Sequence, residues 1–282
     1  MKFCFFGYDH TFNVLQQLIT DGHEALQVYT FKCDNYYSHN KDINAFCTQN
    51  NIPIKQGKIT EDDVAALLDN GCQLFLSSGY PYKIPPIDEG KAYGVNIHPT
   101  LLPRARGIMP QPYILTEERD AAGFSIHKLT QDYDAGDILF QKAIPLDETT
   151  DIETLAARIS LHTPAVVSDV INNIKEYWTN ATAQDHDKAS YYDEPDAVFR
   201  TLNWHDSVAV CIQKNRAFGR FGVFARVTDR YGESQNLAVF QFNGWTEKHD
   251  HRAGTLIRSL PREITVAVQD GYICLLDFSP IR

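Results

Sequence analysis

Lys2-Phe3-Cys4-Phe5-Phe6-Gly7-Tyr8-Asp9-His10-Thr11-Phe12-Asn13-Val14-Leu15-Gln16-Gln17-Leu18-Ile19 stands at the head of the sequence. A short apolar run closed by glycine predicts a buried strand over residues 2–6. Val14, Leu15, Leu18 and Ile19 then fall on one face of a helix over residues 12–19. A second apolar run at 25–30 completes a β-α-β unit. The rhythm continues with runs at 73–77, 94–98, 123–129 and 138–144. A helix over 61–68 lies between them, with Thr60 as its cap and Glu61, Asp62 and Asp63 facing the positive end of its dipole. Strands alternating with helices predict an α/β fold, a Rossmann-like twisted mixed sheet.

A helical pattern over 151–178 closes this unit, with Thr150 as cap and Leu155, Ile159, Val166, Val167, Val170 and Ile171 as its apolar stripe. The texture then changes. Residues 179–200 read as polar loop. From about 217 onward short β-rich runs recur at 223–227, 237–242, 255–257, 264–268 and 272–278, with a turn signal at Gln269-Asp270-Gly271. The predicted division is a catalytic domain over 1–200 and a small C-terminal β domain over 201–282.

The chain has 282 residues, 43% hydrophobic and 22% charged, which suits a folded globular protein rather than a disordered one. Its formal net charge of −10 argues against a polyanion as principal partner, because nucleic-acid affinity comes largely from Lys and Arg neutralising phosphates. The opening apolar run is too short for a signal peptide, and no apolar stretch predicts a membrane span. Six scattered cysteines without CxxC pairs read as buried free thiols of a cytoplasmic protein, and cysteine-bound metal is not expected.

Chemistry concentrates in Val95-Asn96-Ile97-His98-Pro99-Thr100-Leu101-Leu102-Pro103, followed by Arg104-Ala105-Arg106-Gly107, Ser125-Ile126-His127 and Asp134-Ala135-Gly136. Residues i and i+2 of a strand share a face, so Asn96 and His98 project together at the carboxyl end of a central strand, where open α/β sheets bind ligands. An amide can donate to an oxyanion, and an imidazole can act as acid or base near neutral pH. Asp134 beside His98 would accept its N–H and stabilise the imidazolium. The trio fits acyl transfer. Taken singly, these residues have plainer readings: Asp134 as a turn residue with Gly136 at positive φ, and His127 as a hydrogen-bonded structural histidine. The aspartates at 132, 134 and 137 lack the spacing and terminal Glu of a calcium loop.

The ordered set resembles the 10-formyltetrahydrofolate-dependent formyltransferases, a family that includes sugar-nucleotide and methionyl-tRNA formyltransferases. Its Asn-x-His-Pro-Ser-Leu-Leu-Pro pattern stands here with Thr100 in place of Ser, and its Asp-x-Gly motif matches Asp134-Ala135-Gly136. Gly79-Tyr80-Pro81-Tyr82-Lys83-Ile84-Pro85 is similar to the family's pterin loop. The resemblance implies Asn96, His98 and Asp134 as the catalytic trio, with Asn96 and a protonated His98 stabilising the oxyanion. It also implies a folate pocket of Pro81, Tyr82, Ile84 and Leu129, 10-formyltetrahydrofolate as formyl donor, and no metal.

Leu202-Asn203-Trp204 and Asn215-Arg216-Ala217 are similar to linker elements that precede a small OB-like β domain in family members; Trp204 and Arg216 also read as anchors between domains. A nucleotide-linked amino sugar is the expected amine acceptor, and methionyl-tRNA is disfavoured by the charge. Hydroxyornithine, a formate-releasing hydrolase and a non-catalytic folate-binding module stay open, as does a homodimer. The loop Gly7-Tyr8-Asp9-His10-Thr11 precedes a helix whose amides could face phosphate, but lacks GxGxxG. Tyr36, Tyr37 and the Arg104/Arg106 loop are candidates for stacking and phosphate contacts.

Overall fold

The computed structural model describes residues 1–35 and 38–281. Its main sheet contains β1 (Lys2–Phe6), β2 (Glu24–Thr30), β3 (Ile54–Gln56), β4 (Leu74–Ser78), β5 (Tyr93–Thr100), β7 (Ala122–Lys128) and β8 (Ile138–Ala143), in the order β3-β2-β1-β4-β5-β7-β8. A short β6 (Arg106–Gly107) pairs separately with β9 (Tyr191–Tyr192). The first five strands of the main sheet run parallel, and β7 and β8 are antiparallel additions. It is the mixed, Rossmann-like sheet that the alternation of elements predicts.

Both faces are covered, which is why the central strands read as continuous apolar runs rather than alternating ones. On one side Phe3, Phe5, Leu74, Leu76, Val95 and Ile97 join Val14, Leu15 and Leu18 of α1 (Phe12–Thr20) and Ile43 and Cys47 of α2 (Lys41–Gln49). On the other, Cys4, Phe6, Tyr29 and Phe75 pack on Val64 and Leu67 of α3 (Glu61–Asp69). Thr60 caps α3 reciprocally with Asp63: the Asp63 N–H donates to Thr60 Oγ1, and Asp63 Oδ2 accepts from the Thr60 N–H. Thr60→Ala should lower stability by about 1 kcal/mol, read as a shift in denaturant midpoint at unchanged slope.

The predicted helix over 151–178 is divided. α4 (Gln111–Thr116) precedes it, and the segment itself forms α5 (Ile152–Asn172) and α6 (Ile174–Thr179), separated at Asn173. The cap is also different. Asp151 Oδ1 accepts the Thr154 N–H, whereas the buried Thr150 spends its hydroxyl on Asp147. α2 and β3 had no counterpart in the sequence reading. Nor did α7 (Ala197–Arg200) and α8 (Val208–Phe218).

The C-terminal β region is a five-stranded antiparallel sheet of β10 (Val223–Thr228), β11 (Ser234–Thr246), β12 (Leu256–Leu260), β13 (Glu263–Ala267) and β14 (Gly271–Pro280), ordered β10-β11-β14-β13-β12. The turn at 269–271 lies where its residues predict. The chain forms two compact units: residues 1–110, 120–145 and 156–192, and residues 111–119, 146–155 and 193–282. Within the second, Trp204 donates its indole N–H to the Arg226 carbonyl at 2.8 Å and lies against Gly254. All six cysteines are free. No helix among the described residues is long and apolar enough to cross a membrane.

Candidate active site

Pairing around β5 assembles the site. β5 lies between β4, which runs parallel to it, and β7, which runs antiparallel and sets Asn96 opposite His127 and His98 opposite Ser125. Beyond β5 the chain turns back on itself. Ser125 Oγ donates to the Thr100 carbonyl (2.6 Å) and accepts the Leu102 N–H (3.0 Å), while Gln141 Nε2 donates to both Ser125 Oγ and the Leu102 carbonyl (2.8 Å each). Thr100 Oγ1 closes the loop on the Arg104 carbonyl at 2.9 Å. So secured, the loop presents the Ala105 carbonyl to His98 Nε2 at 2.9 Å, with Ala105 itself in the left-handed region at φ 53°.

Asp134 is the hub. Its Oδ1 lies 3.3 Å from His98 Nδ1, 3.3 Å from Asn96 Nδ2 and 3.6 Å from His127 Nε2, and its Oδ2 accepts the Gly107 N–H at 3.0 Å. Three elements distant in sequence thus meet on one carboxylate. Asp134, not Gly136, takes the positive φ (53°). Glycine is needed at 136 for another reason: a Cβ there would stand 2.1 Å from the Lys128 carbonyl oxygen. The turn reading of Asp-x-Gly had the two roles reversed.

His127 belongs to the cluster rather than standing apart from it. Its Nδ1 donates to the Lys128 carbonyl (2.8 Å), which leaves Nε2 to accept from the Asn96 amide at 3.0 Å. Both Asn96 N–H groups are therefore engaged, one by His127 and one by Asp134. The amide assigned by sequence to an oxyanion is here committed inside the cluster.

Burial dominates the electrostatics. It holds the His98 imidazole below its ordinary pKa of 6.5, against the opposing pull of Asp134 and the Ala105 carbonyl. Burial also pushes Asp134 upward, but His98, His127 and the Gly107 N–H overcome it and keep the carboxyl below its ordinary 3.8. Burial thus works against the protonated form that the sequence reading used, while an acceptor at each ring nitrogen, Asp134 Oδ1 at Nδ1 and the Ala105 carbonyl at Nε2, works for it. The two sites form one coupled pair on which a proton can reside. Unfolding releases His98 to its ordinary value, so the unfolded state binds more protons below pH 6.5, and stability falls as pH drops through that range. Asp134 adds the same sign below about pH 4. Thermal midpoints at pH 7.5 and 5.5 should separate more for the wild type than for His98→Asn.

A slot of about 270 Å³ that includes Gly94 of β5 is lined by Ile84, Pro85, Ile87, Leu129 and Trp178 together with the polar Glu89, Thr130 and Gln131. Gly94 is two residues before Asn96 on the same face of β5, so the slot leads along the strand toward the trio. Of the pocket residues inferred from sequence, Ile84 and Leu129 line it. Pro81 and Tyr82 do not; Tyr82 is exposed and packs edge-on against Tyr80. Arg104 is tied to Asp120 at 3.0 Å and Arg106 is buried, so neither is a free phosphate contact. Tyr36 and Tyr37 lie outside the described residues. Asp9 in the first loop caps α2 by accepting the Asp42 and Ile43 N–H groups.

Residues 38–171 match the formyl transferase family. Similar sequences include methionyl-tRNA formyltransferases of Treponema pallidum (29% identical over 185 residues, 64% of this chain and 56% of that protein) and Bacillus velezensis (24% over 268 residues, 92% and 83%). Similar structures include the N-formyltransferase from Helicobacter canadensis in complex with folinic acid and dTDP-3-aminofucose (TM-score 0.71, 13% identity, 99% of both chains). HypX from Aquifex aeolicus in complex with tetrahydrofolic acid is another (TM-score 0.65, 15% identity, 100% of this chain and 44% of that one). The chain thus spans little more than half the length of the Treponema relative, and less than half that of HypX.

Proposed function

We propose that the protein transfers a formyl group from 10-formyltetrahydrofolate to the amine of a nucleotide-linked amino sugar. The observation that carries this reading is the buried Asp134 carboxylate joined to His98, Asn96 and His127, with a slot of mixed polar and apolar lining farther along β5. The slot would take the flat ring of the donor and lead its formyl group toward Asn96. A neutral acceptor amine attacks the formyl carbon, giving a tetrahedral oxyanion. The Asp134–His98 pair takes the proton that the nitrogen loses and returns it to the departing folate nitrogen. Asn96 gives up its bond to His127 and donates to the oxyanion, an exchange favoured because hydrogen bonds to a charged acceptor are roughly twice as strong as neutral ones. An oxyanion donor of this kind contributes about 3 kcal/mol.

Gly94 tests the slot. A methyl group there would meet Ile87 Cδ1 at 3.0 Å and Leu129 Cβ at 3.2 Å, filling the floor of the slot and pushing both side chains aside. Gly94→Ala should raise KM for 10-formyltetrahydrofolate about tenfold, or roughly 1.4 kcal/mol, with little change in kcat.

The acceptor rests on different support. The Helicobacter canadensis enzyme, similar over nearly its whole length, was solved with dTDP-3-aminofucose. Methionyl-tRNA is the second reading, favoured by the Treponema and Bacillus relatives; the net charge of −10 weighs against it. The deciding measurement is release of tetrahydrofolate from 10-formyltetrahydrofolate in the presence of pooled nucleotide-linked amino sugars, methionyl-tRNA or hydroxyornithine, with formate followed in parallel. Turnover with the sugars alone supports the proposal. Turnover with tRNA alone replaces it, and acceptor-independent formate makes the protein a hydrolase.

A further inference from the structure

Arg106 is the largest fully buried side chain among the described residues, at 1% exposure, and its hydrogen bonds reach no carboxylate. Its Nε and Nη2 donate to Gln184 Oε1, Nη1 donates to the Tyr191 hydroxyl, and the guanidinium also lies over the Tyr191 ring at 5.2 Å. Burying a cation without a counter-ion is costly, so the arrangement must return something. Gln184, itself buried, shows what. The oxygen end of its amide faces the cation, while its Nε2 donates to the backbone carbonyls of Asp134 (2.9 Å) and Gly136 (2.7 Å). A positive charge on the acceptor end polarises the amide and strengthens the donors at the other. Those donors hold the turn in which Asp134 sits at φ 53°, a conformation that side-chain-bearing residues adopt only when their surroundings impose it.

We propose that Gln184, oriented by Arg106, is a positioning residue that sets the Asp134 carboxylate between His98 and Asn96. The inference rests on the catalytic reading of Asp134 above. The Gly107 N–H, which donates to Asp134 Oδ2, reports directly on where that carboxylate is. Its neighbours supply internal controls: the Arg106 N–H donates to the Ser190 carbonyl and the Ile108 N–H to the Tyr192 carbonyl.

Gln184→Glu keeps an acceptor for Arg106 and removes both donors to the turn. Amide exchange by NMR should show Gly107 exchanging at least about tenfold faster while Arg106 and Ile108 are unchanged, since a tenfold rise in opening is a modest change in local stability. In the formyl-transfer assay kcat should fall on the order of 100-fold at unchanged KM for the donor, the usual cost of misplacing a reacting group by about 1 Å. Unchanged Gly107 exchange overturns the proposal. So does equal acceleration of all three amides with a lowered Tm, which is what a purely structural role gives. If Gln184→Glu does not fold, Gln184→Met is read by the same criteria. Should the wild type transfer no formyl group to any acceptor, the proposed function falls, and Gly107 exchange still decides the role of Gln184.

Discussion

Asp134→Asn should lower turnover by on the order of 10³- to 10⁴-fold while the protein stays folded, as steady-state tetrahydrofolate release and thermal melting would show. The substitution is nearly isosteric, and asparagine tolerates the left-handed backbone that position 134 adopts at φ 53°. What changes is the charge and one hydrogen bond. Each carboxylate oxygen now receives donors: His98 and Asn96 at Oδ1, and Gly107 at Oδ2. An amide must turn its NH2 toward one of these sets, placing donor against donor. Without the negative charge, only the Ala105 carbonyl is left to oppose the burial that disfavours a proton on His98, so the pair loses its capacity to accept one from the amine. Binding of the folate donor, measured by fluorescence or calorimetry, should change less than about threefold, because the slot residues are untouched. A variant with near-normal turnover would remove Asp134 from the mechanism.

The opposite pattern is expected for Gly136→Ala, which should lose stability and activity together. The added methyl would lie 2.1 Å from the Lys128 carbonyl oxygen and 2.9 Å from its carbon, and backbone cannot swing aside as a side-chain tip can. The Lys128 carbonyl is the acceptor for His127 Nδ1, and the Gly136 carbonyl is an acceptor for Gln184, so relieving the clash strains both ends of the site. Overpacking of this kind costs about 1–3 kcal/mol, which lowers the thermal midpoint of a chain this size by roughly 3–10 °C. Displacing Asp134 by even about 1 Å would take kcat down on the order of 100-fold. Ala at 136 with an unchanged midpoint would mean that the turn can move freely. Compared side by side, Asp134→Asn removes chemistry without the scaffold, and Gly136→Ala removes the scaffold beneath the chemistry.

Local signals carried the sheet. The strands of the main sheet from 2–6 to 138–143, apart from the three-residue β3, are apolar runs bounded by turn residues, and α1 and α3 show a helical apolar face with a cap or acidic first turn close by in sequence. What escaped lacked such a signal. α2 has a weak apolar pattern, and its N-terminal amides are capped by Asp9, more than 30 residues earlier. α8 spreads its buried residues, Val208, Cys211, Ala217 and Phe218, too unevenly to show one stripe, although Ser207 does cap it. The division of 151–178 turns on Asn173, which interrupts α5 and α6 without the Gly or Pro that marks such breaks in a sequence.

The site divides along the same line. Asn96 and His98 were legible because a strand places i and i+2 on one face whatever surrounds it, and the family resemblance joined Asp134 to them. Sequence by itself thus determined the fold class and all but one strand of the main sheet, and singled out Asn96, His98 and Asp134 as candidates, because these depend on short-range periodicity and on motifs written in consecutive residues. Only tertiary structure decided which atoms meet: that both Asn96 N–H groups are engaged, that His98 is buried between two acceptors, that His127 joins the cluster, and that Gln184 is hydrogen-bonded both to the buried Arg106 and to the Asp134 turn. The physical reason is that desolvation and hydrogen-bond geometry are properties of packed neighbours, here drawn from β5, β7, the 129–137 turn and the segment around 184–192, which no local pattern brings together.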